Sequence, residues 1–174
     1  LLDIILVDIK IVPYLKKKRK SFMPNSIWNG FLTASKVISQ DNRVVIGKAK
    51  DIADGTQSMA IVSYFPIEDS EQRLMIIHVH NGVSFFRTLK LLKRLEDTIQ
   101  AHQGPLIVAG DFNSFLYKKY LVKRWAKRVK LHDSKVDTPF KFKFIRLGQL
   151  DHAFYRGLTL KKEVKVIEET KNFS

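Results

Sequence analysis

The sequence predicts a single domain of the α/β (α+β) class, with a core formed by β-sheets that pack against each other. Short apolar segments rich in β-branched residues outnumber the helical patterns, and the helical patterns are interleaved among them. No internal repeat, low-complexity segment or linker divides the chain. Its 174 residues suit a domain with a sizeable buried core, so we expect residues 1–174 to form one unit.

Two patterns identify the predicted strands. The continuous apolar run Leu106–Ala109 suits a strand buried on both faces, and the alternation of aromatic and lysine residues in Phe140–Phe144 suits a half-buried strand. The polar segment Asp69–Arg73 is expected to form a hairpin turn. Further strands are predicted at Leu1–Ile9, Gly30–Ser35, Arg43–Gly47, Met59–Tyr64, Leu74–His80, Leu150–Tyr155 and Glu163–Ile167.

Two long helices are predicted from apolar residues at helical spacing. Ser84–His102 begins at a serine that can cap it and stops before Gly104. Phe115–Lys130 combines an apolar stripe with a high density of cations. A shorter helix is expected at Pro13–Lys20, since proline suits a first helical turn, and a run of cations like the one it contains usually marks a solvated face.

Composition excludes several classes of function. The chain has no cysteine, which rules out a disulfide scaffold, a zinc–thiolate site and a thiol nucleophile. No apolar run approaches the roughly 18–20 residues of a membrane helix. The balance of apolar and charged residues is that of a soluble globular protein, for which we expect a cytoplasmic location, although a chain without thiols suits either redox environment.

The charge balance indicates anionic partners. Lys and Arg number 31 against 17 Asp and Glu, which gives a formal net charge of +14 at pH 7. Such a surface attracts nucleic acid, anionic lipid or phosphorylated small molecules. A high net charge also keeps a protein dissolved, and the total alone does not separate these two interpretations.

The segment GDFN places Asp111 and Asn113 directly after the strand Leu106–Ala109. The carboxyl ends of strands are where α/β sheets carry their reactive groups. Asp111 and Asn113 are expected on the same side, where the carboxylate can orient or deprotonate a water and the amide can donate to a developing anion. Asp and Asn also favour ordinary turns, and spacing alone favours that interpretation.

Other polar side chains occur at predicted strand ends. His78 and His80 alternate on one strand and therefore share a face, which suits either a metal-binding pair or hydrogen-bonded filler. Asp151 and His152 are adjacent, so at most one of them points into a given site. Asp8 ends the first strand among apolar neighbours, where it would bind a hard cation such as Mg²⁺ or cap the next turn.

Four motifs resemble, in the same order, those of the endonuclease/exonuclease/phosphatase superfamily. That superfamily includes DNase I-like nucleases, abasic-site endonucleases, sphingomyelinases and inositol-polyphosphate phosphatases. GPLIVAGDFNS at Gly104–Ser114 is similar to its GDFN motif, and QLDHAFYRGL at Gln149–Leu158 is similar to its later LDH-F strand. IIHVHN at Ile76–Asn81 resembles the strand that bears the catalytic histidine, and GFLTASKV at Gly30–Val37 resembles an early strand.

The resemblance implies a DNase I-like, four-layer α-β-β-α sandwich with the site at one end of the paired sheets. The resemblance implies a role for each matching residue. Asp111 would orient or activate the water, Asn113 would stabilise the pentacoordinate phosphate, and His80 would hydrogen-bond the phosphate oxygens. Asp151 would help to hold the polar network. Asp8 would bind Mg²⁺ or Mn²⁺, which would neutralise charge beside the phosphate.

The sequence departs from the superfamily pattern at several points. Asp8 stands where Glu is usual, and the shorter carboxylate would pull the metal away or bind it through water. His78 stands where Asn is usual. The resemblance also implies an Asp-His pair on a strand after Ser174 and an Asn-bearing strand before Leu1, so we expect terminal strands outside this sequence.

Three functions are compatible with these observations. The first is Mg²⁺- or Mn²⁺-dependent cleavage of DNA or RNA, with phosphates bound by Lys118, Lys119, Lys123 and Arg124 and by the cluster Lys16–Lys20. The second keeps the chemistry but acts on sphingomyelin, a phosphoinositide or another small phosphate ester, since loops set the substrate. The third is a nucleic-acid-binding module without catalysis, which the departures from the superfamily pattern favour.

Overall fold

The structure, a computed structural model, describes residues 4–11, 28–35, 38–50, 57–115, 117–135, 139–142 and 145–160. Ten strands and two helices occur within these ranges. In chain order they are β1 (Ile4–Ile11), β2 (Trp28–Ser35), β3 (Asp41–Lys50), β4 (Gln57–Ile67), β5 (Ser70–His80), α1 (Phe85–Ala101), β6 (Leu106–Asp111), α2 (Lys118–Arg128), β7 (His132–Asp133), β8 (Pro139–Phe142), β9 (Ile145–Gln149) and β10 (Asp151–Arg156).

Six of the strands form one mixed sheet in the order β3-β4-β5-β6-β10-β7. β5 and β6 run parallel, whereas the other neighbouring pairs of this sheet are antiparallel. Parallel neighbours need a crossover connection, and α1 supplies it between β5 and β6. β1 pairs with β2 and β8 pairs with β9 as separate antiparallel ribbons, and β1 lies against β6.

One face of the six-stranded sheet packs against both helices. Met75, Ile77 and Val79 alternate along β5 and belong to the same buried cluster as Leu95 of α1 and Trp125 of α2. Fully burying a side chain of this size contributes about 1.5–3 kcal/mol, so this face holds most of the packing energy of the described residues. Within that part of the chain, neither helix has the length and hydropathy needed to cross a bilayer.

The opposite face of the sheet carries a smaller apolar cluster and then polar strand ends. Phe65, Leu74 and Ile76 pack together on this face. His78 and His80 continue the same side of β5 towards its carboxyl end, because side chains alternate along a strand. The face turned away from the helices therefore changes from apolar to polar where β5 ends.

The two long predicted helices are confirmed, with differences at their ends. α2 begins at Lys118 rather than Phe115, because the preceding residues form a turn and an isolated bridge. Ser84 occupies the N-cap position of α1, but its side chain makes no capping hydrogen bond. The Ser84 carbonyl oxygen instead accepts bonds from the N–H and the hydroxyl of Thr88.

The predicted hairpin turn at Asp69–Arg73 is wrong in its extent. The turn consists of two residues, Glu68 and Asp69, and Asp69 takes the left-handed φ of 56° that tight hairpins use. Ser70 pairs with Ile67, the register then shifts across Glu71 and Gln72, and regular pairing resumes where Arg73 lies opposite Pro66. The residues after the turn are polar because this end of the hairpin is exposed to solvent. Their polarity therefore reflects solvent exposure and does not mark a turn.

Several other predicted elements lie partly or wholly outside the described residues. Of Phe140–Phe144, the first three residues lie in β8, and the last two lie outside the described ranges. Pro13–Lys20 and Glu163–Ile167 also lie outside them. β7 and β9 have no predicted counterpart: β7 has only two residues, and the alternation in β9 covers only three residues, Ile145, Arg146 and Leu147.

Candidate active site at the carboxyl end of β5 and β6

Three residues predicted for catalysis lie in one row across the sheet. His80 of β5 is opposite Asp111 of β6, and Asp111 is opposite Asp151 of β10. Side chains at directly opposite positions leave the same face of a sheet, about 5 Å apart. All three are partly buried. The adjacent His152 is on the helix-covered face, as alternation predicts, so the structure brings only Asp151 of that pair to the row.

Asp111 and Asn113 form a tight turn closed by the aspartate side chain. The Asn113 N–H donates to Asp111 Oδ1 at 2.7 Å, and Asn113 Nδ2 donates to Asp111 Oδ2 at 3.2 Å. Asn113 has a φ of 45°, a left-handed conformation that asparagine tolerates better than most residues. Phe112, between them in sequence, is fully buried. The turn thus fixes the orientation of the Asp111 carboxylate.

Asn113 also joins the end of β6 to the end of β5. Its Nδ2 donates to the Asn81 carbonyl oxygen at 2.5 Å, and the Asn81 N–H donates to the Asp111 carbonyl oxygen at 2.8 Å. The Asn113 amide nitrogen therefore already has two acceptors, which occupy its two N–H groups. In this geometry Asn113 positions Asp111, and its predicted contact with a pentacoordinate phosphate stays a prediction.

The side chain of Asn81 is a buried feature that the sequence did not indicate. Asn81 is fully buried, and neither Nδ2 nor Oδ1 has a hydrogen-bond partner among the described residues. Buried polar atoms are nearly always paired, and ordered water often supplies the partner. We therefore expect a bound water at this amide. An asparagine directly after a strand carries no sequence signal of burial.

Lys118, one of the cations predicted to bind substrate phosphates, is buried rather than exposed on the surface of α2. Its side chain is only 2% exposed, and its ammonium donates to the carbonyl oxygens of Gly82 at 2.9 Å and Val83 at 3.3 Å. These carbonyls belong to the loop that follows His80. A lysine buried in this way holds the loop against α2, so direct phosphate binding from the helix surface does not fit its position.

Replacing Lys118 by methionine should loosen this loop. The two carbonyl groups lose their donor, and the free energy of unfolding should fall by about 2 kcal/mol. Amide hydrogen exchange at Gly82 and Val83 should accelerate more than exchange in α1. Lys119→Met is the matched control, because Lys119 neighbours Lys118 but is only half-buried. Equal losses of stability in the two variants would contradict the assigned loop contact.

The other predicted substrate-binding cations are more accessible. Arg124 is exposed and Lys119 is half-buried. Lys123 is also exposed, and its ammonium lies 3.4 Å from an Asp133 carboxylate oxygen. An ion pair at such a position contributes little, which leaves the cation available to other anions. α2 begins beside the loop after β5 and leads away from it, and contact between these cations and a substrate stays a prediction.

His152 lies behind the row in an enclosed environment. Its Nε2 is 2.5 Å from Ser114 Oγ, both residues are buried, and its ring stacks on Phe154. Burial lowers the pKa of His152 from 6.5 to about 4, while the charge of Asp133 raises it and that of Lys123 lowers it by smaller amounts. The imidazole is therefore neutral at physiological pH and supports the site from the core.

Stability should consequently fall in mild acid. Between pH 6.5 and about 4, His152 binds a proton in the unfolded state but not in the folded state. Its contribution is fully present above pH 6.5, and about 3 kcal/mol of it should be lost as the pH falls to about 4. Urea unfolding across this range should show that slope in the wild type and a much weaker slope in His152→Phe. Identical slopes would contradict the burial effect.

The donor chemistry of the site suits a hard cation. Among the described residues, no group of three His, Cys, Asp or Glu side chains is arranged to hold a metal ion. Asp8, the predicted ligand, belongs to β1, which lies against the strand of Asp111. His78 is buried and lies on the same side of β5 as His80, so a metal-binding role for this pair stays a prediction. A few oxygen ligands fit Mg²⁺ or Mn²⁺, since Mg²⁺ keeps several waters.

No protein-family model matches the chain. A UPF0294 protein of Vibrio parahaemolyticus is 34% identical over 107 residues, which cover 59% of this chain and 37% of that protein. A UPF0294 protein of Yersinia enterocolitica is 32% identical over 108 residues, which cover 58% of this chain and 40% of that protein. The chain thus spans about two fifths of the length of these curated relatives.

Solved structures share the fold at low sequence identity. An endonuclease/exonuclease/phosphatase family protein from Leptotrichia buccalis matches with a TM-score of 0.57 and 17% identity, over 98% of this chain and 66% of that one. A Bacteroides thetaiotaomicron mannosyl-6-phosphatase gives 0.54 and 11%, over 86% and 62%. Sphingomyelinase C from Streptomyces griseocarneus gives 0.55 and 13%, over 80% and 57%. The chain has the DNase I-like fold of the endonuclease/exonuclease/phosphatase superfamily, as its motifs predict.

Proposed function

We propose that the chain is a metal-dependent phosphoesterase that hydrolyses phosphodiester bonds in DNA or RNA. The observation that carries the proposal is the row of His80, Asp111 and Asp151 at the ends of three neighbouring strands. Proteins named as a mannosyl-6-phosphatase and a sphingomyelinase share the fold, which supports phosphoester hydrolysis as the reaction class. A fold alone does not assign a reaction, so the row of side chains is the main support.

The central carboxylate suits the role of a base for water. Asn113 donates to both oxygens of Asp111 and so fixes the carboxylate, which in this proposal accepts a hydrogen bond from the attacking water. The water oxygen forms a bond to phosphorus, its proton passes to Asp111, and the bond from phosphorus to the leaving oxygen breaks. His80, opposite Asp111, donates an N–H to a phosphate oxygen, and Asp151 orients the polar groups from the other side.

Asp8 is the residue that would hold the metal, because its strand lies against β6. When bound, Mg²⁺ or Mn²⁺ would offset the negative charge that develops on the phosphate. The residues of the row act beside it by orienting water and phosphate. Asn113 and the strand register set the position of Asp111 through contacts within the protein.

Charge favours nucleic acid as the substrate. The formal net charge of +14 attracts a polyanion more strongly than it attracts a small ester with one phosphate. Lys119, Lys123 and Arg124 extend along α2 from the loop beside the site, where they would contact successive phosphates of a strand. Binding through such contacts weakens steeply with salt, which gives the proposal a second measurable signature.

Cleavage of plasmid DNA and of single-stranded RNA tests the proposal. We expect fragments that form with Mg²⁺ or Mn²⁺, disappear with EDTA and return when metal is restored. His80→Gln, purified in the same way, should retain only a small fraction of the rate and serves as the control for contaminating nucleases. No metal-dependent cleavage of either substrate would contradict the proposal.

Parallel substrates separate the alternatives. Headgroup release from sphingomyelin liposomes or turnover of p-nitrophenyl phosphate, with no cleavage of nucleic acid, would preserve the reaction class and overturn the substrate. Salt-sensitive binding of nucleic acid without turnover, even with metal supplied, would overturn the enzymatic assignment and indicate a binding module.

A further inference from the structure

A cavity lies at the end of the sheet opposite the candidate active site. It is an open recess of about 470 Å³ between the last turns of α1 and α2 and the end of β10, a volume within the range of ligand pockets. Arg156, at its wall, pairs with Leu106 at the start of β6, whereas Asp111 ends that strand. The strand rise separates the two places by roughly 17 Å. The polar residues that line the cavity are Gln100, His102, Gln103, Arg128, Lys130 and Arg156.

The lining is rich in hydrogen-bond donors and positive charge. Two arginines and a lysine supply three cations, the two glutamine amides add neutral donors, and none of these lining residues carries a carboxylate. Guanidinium groups bind tetrahedral oxyanions with paired N–H bonds, and a lysine adds a point charge. The composition of the cavity therefore suits a phosphate group.

The two arginines are fixed at the cavity wall. Arg156 Nη2 donates to the carbonyl oxygens of Ile99 and His102, and Arg128 Nη2 donates to Glu96. A guanidinium has five N–H groups, so these contacts set its plane while using only one of its nitrogens. Arginines held in this way lose little conformational entropy when an anion binds.

Lys130 has a backbone conformation that is unusual for lysine. α2 ends in a Schellman motif, in which the Lys130 N–H donates to the Lys127 carbonyl and the Leu131 N–H donates to the Ala126 carbonyl. Lys130 takes a φ of 58°, at the position that glycine usually fills. A lysine here destabilises the helix end relative to glycine, and such strained positions tend to serve a function.

We propose that this cavity is a second anion site, which binds a phosphate group through Arg128, Lys130 and Arg156. The phosphate belongs either to a small molecule or to the backbone of a nucleic-acid strand. Cations at helix C-termini also interact favourably with the helix dipole, and Glu96 offsets part of the charge of Arg128. That simpler role requires neither a recess lined by three cations nor a lysine in the left-handed conformation, and this part of the surface has both.

Titration with inorganic phosphate, followed by residue-resolved NMR in the presence of EDTA, tests the site without any need for catalysis. We expect saturable chemical-shift changes at the Lys130 backbone amide and the Arg156 side chain. These changes should be independent of any changes at Asn113, which reports on the candidate active site. Lys130→Gly should weaken this binding about tenfold. The same variant should raise the Tm by about 3 °C, because glycine suits the left-handed position, so misfolding could not explain the loss.

Lys127→Gln is the matched control, because it removes one exposed cation from the same helix turn without altering the cavity lining. It should bind phosphate like the wild type. Absence of saturable shifts at Lys130, or equal weakening by Lys127→Gln, would overturn the proposal in favour of diffuse charge. A short single-stranded oligonucleotide forms the second arm: binding that depends on Lys130 supports a strand phosphate, and phosphate binding alone supports a small molecule.

Discussion

Replacing Asp111 by asparagine should slow phosphodiester hydrolysis by about a thousandfold while leaving the fold intact. Removal of a positioned base typically costs between about 10² and 10⁴ in rate. Asparagine has the size of aspartate, and its amide oxygen can still accept the Asn113 N–H that Asp111 Oδ1 accepts at 2.7 Å, although the weaker bond from Asn113 Nδ2 to Oδ2 is lost. The measurements are kcat for wild type and variant with Mg²⁺, together with urea unfolding to verify the fold.

Asp133 provides the matched control for this substitution. Its Oδ1 accepts the N–H of Lys135, two residues later, at 2.9 Å, and Lys135 has a left-handed φ of 59°. The local turn is therefore the same as at Asp111, but it lies away from the row. Asp133→Asn should retain nearly full activity. Activity lost in both variants, or kept in both, would contradict the role assigned to Asp111.

Replacing Gly110 by alanine should destabilise the protein by more than about 3 kcal/mol and disrupt the site. A Cβ at this position would lie 2.1 Å from the Val79 carbonyl oxygen and 2.9 Å from His78 Cδ2. Gly110 also has a φ of 135°, which residues with a Cβ avoid. The Val79 oxygen is part of the β5 backbone, so relief requires β5 and β6 to separate. Thermal and urea unfolding measure the loss.

Comparison with Gly157→Ala separates the two causes of the expected loss at Gly110, the steric clash of the added Cβ and the strain of a positive φ. Gly157 has a φ of 68°, and the atom nearest to an added Cβ is Pro105 Cα at 3.2 Å. An alanine there should cost about 1–2 kcal/mol, mainly for the left-handed backbone. If Gly110→Ala and Gly157→Ala unfolded at the same temperature, the clash with Val79 would not be the dominant effect.

The candidate row could be predicted because its members follow short-range rules. Alternation along a strand placed His78 and His80 on one face and separated Asp151 from His152, and the register confirms both. Asp111 after a buried strand likewise lies where reactive groups usually occur. Strand alternation depends on backbone geometry alone, so the face that each side chain occupies can be predicted without knowing the neighbouring strands.

The remainder of the site could not be predicted because it depends on contacts between distant segments. Lys118 resembles the other lysines of α2 in sequence, and only the position of the Gly82 carbonyl shows that it is buried. The burial of the Asn81 amide likewise requires the packing of the whole strand end. Apolar residues at helical spacing identify a helix, but they do not show which of its cations contacts a distant segment of the chain.

The parallel pairing of β5 with β6 has a consequence for how activity is acquired and lost. The hydrogen bond between Asn113 and Asn81 joins residues 32 positions apart, and α1 lies in the chain between them. Contacts between segments far apart in sequence form late and slowly, because the chain loses conformational entropy before the contact contributes stabilising free energy. Enzymatic competence should therefore emerge together with cooperative tertiary structure, and no partly folded intermediate that lacks the crossover should turn over substrate.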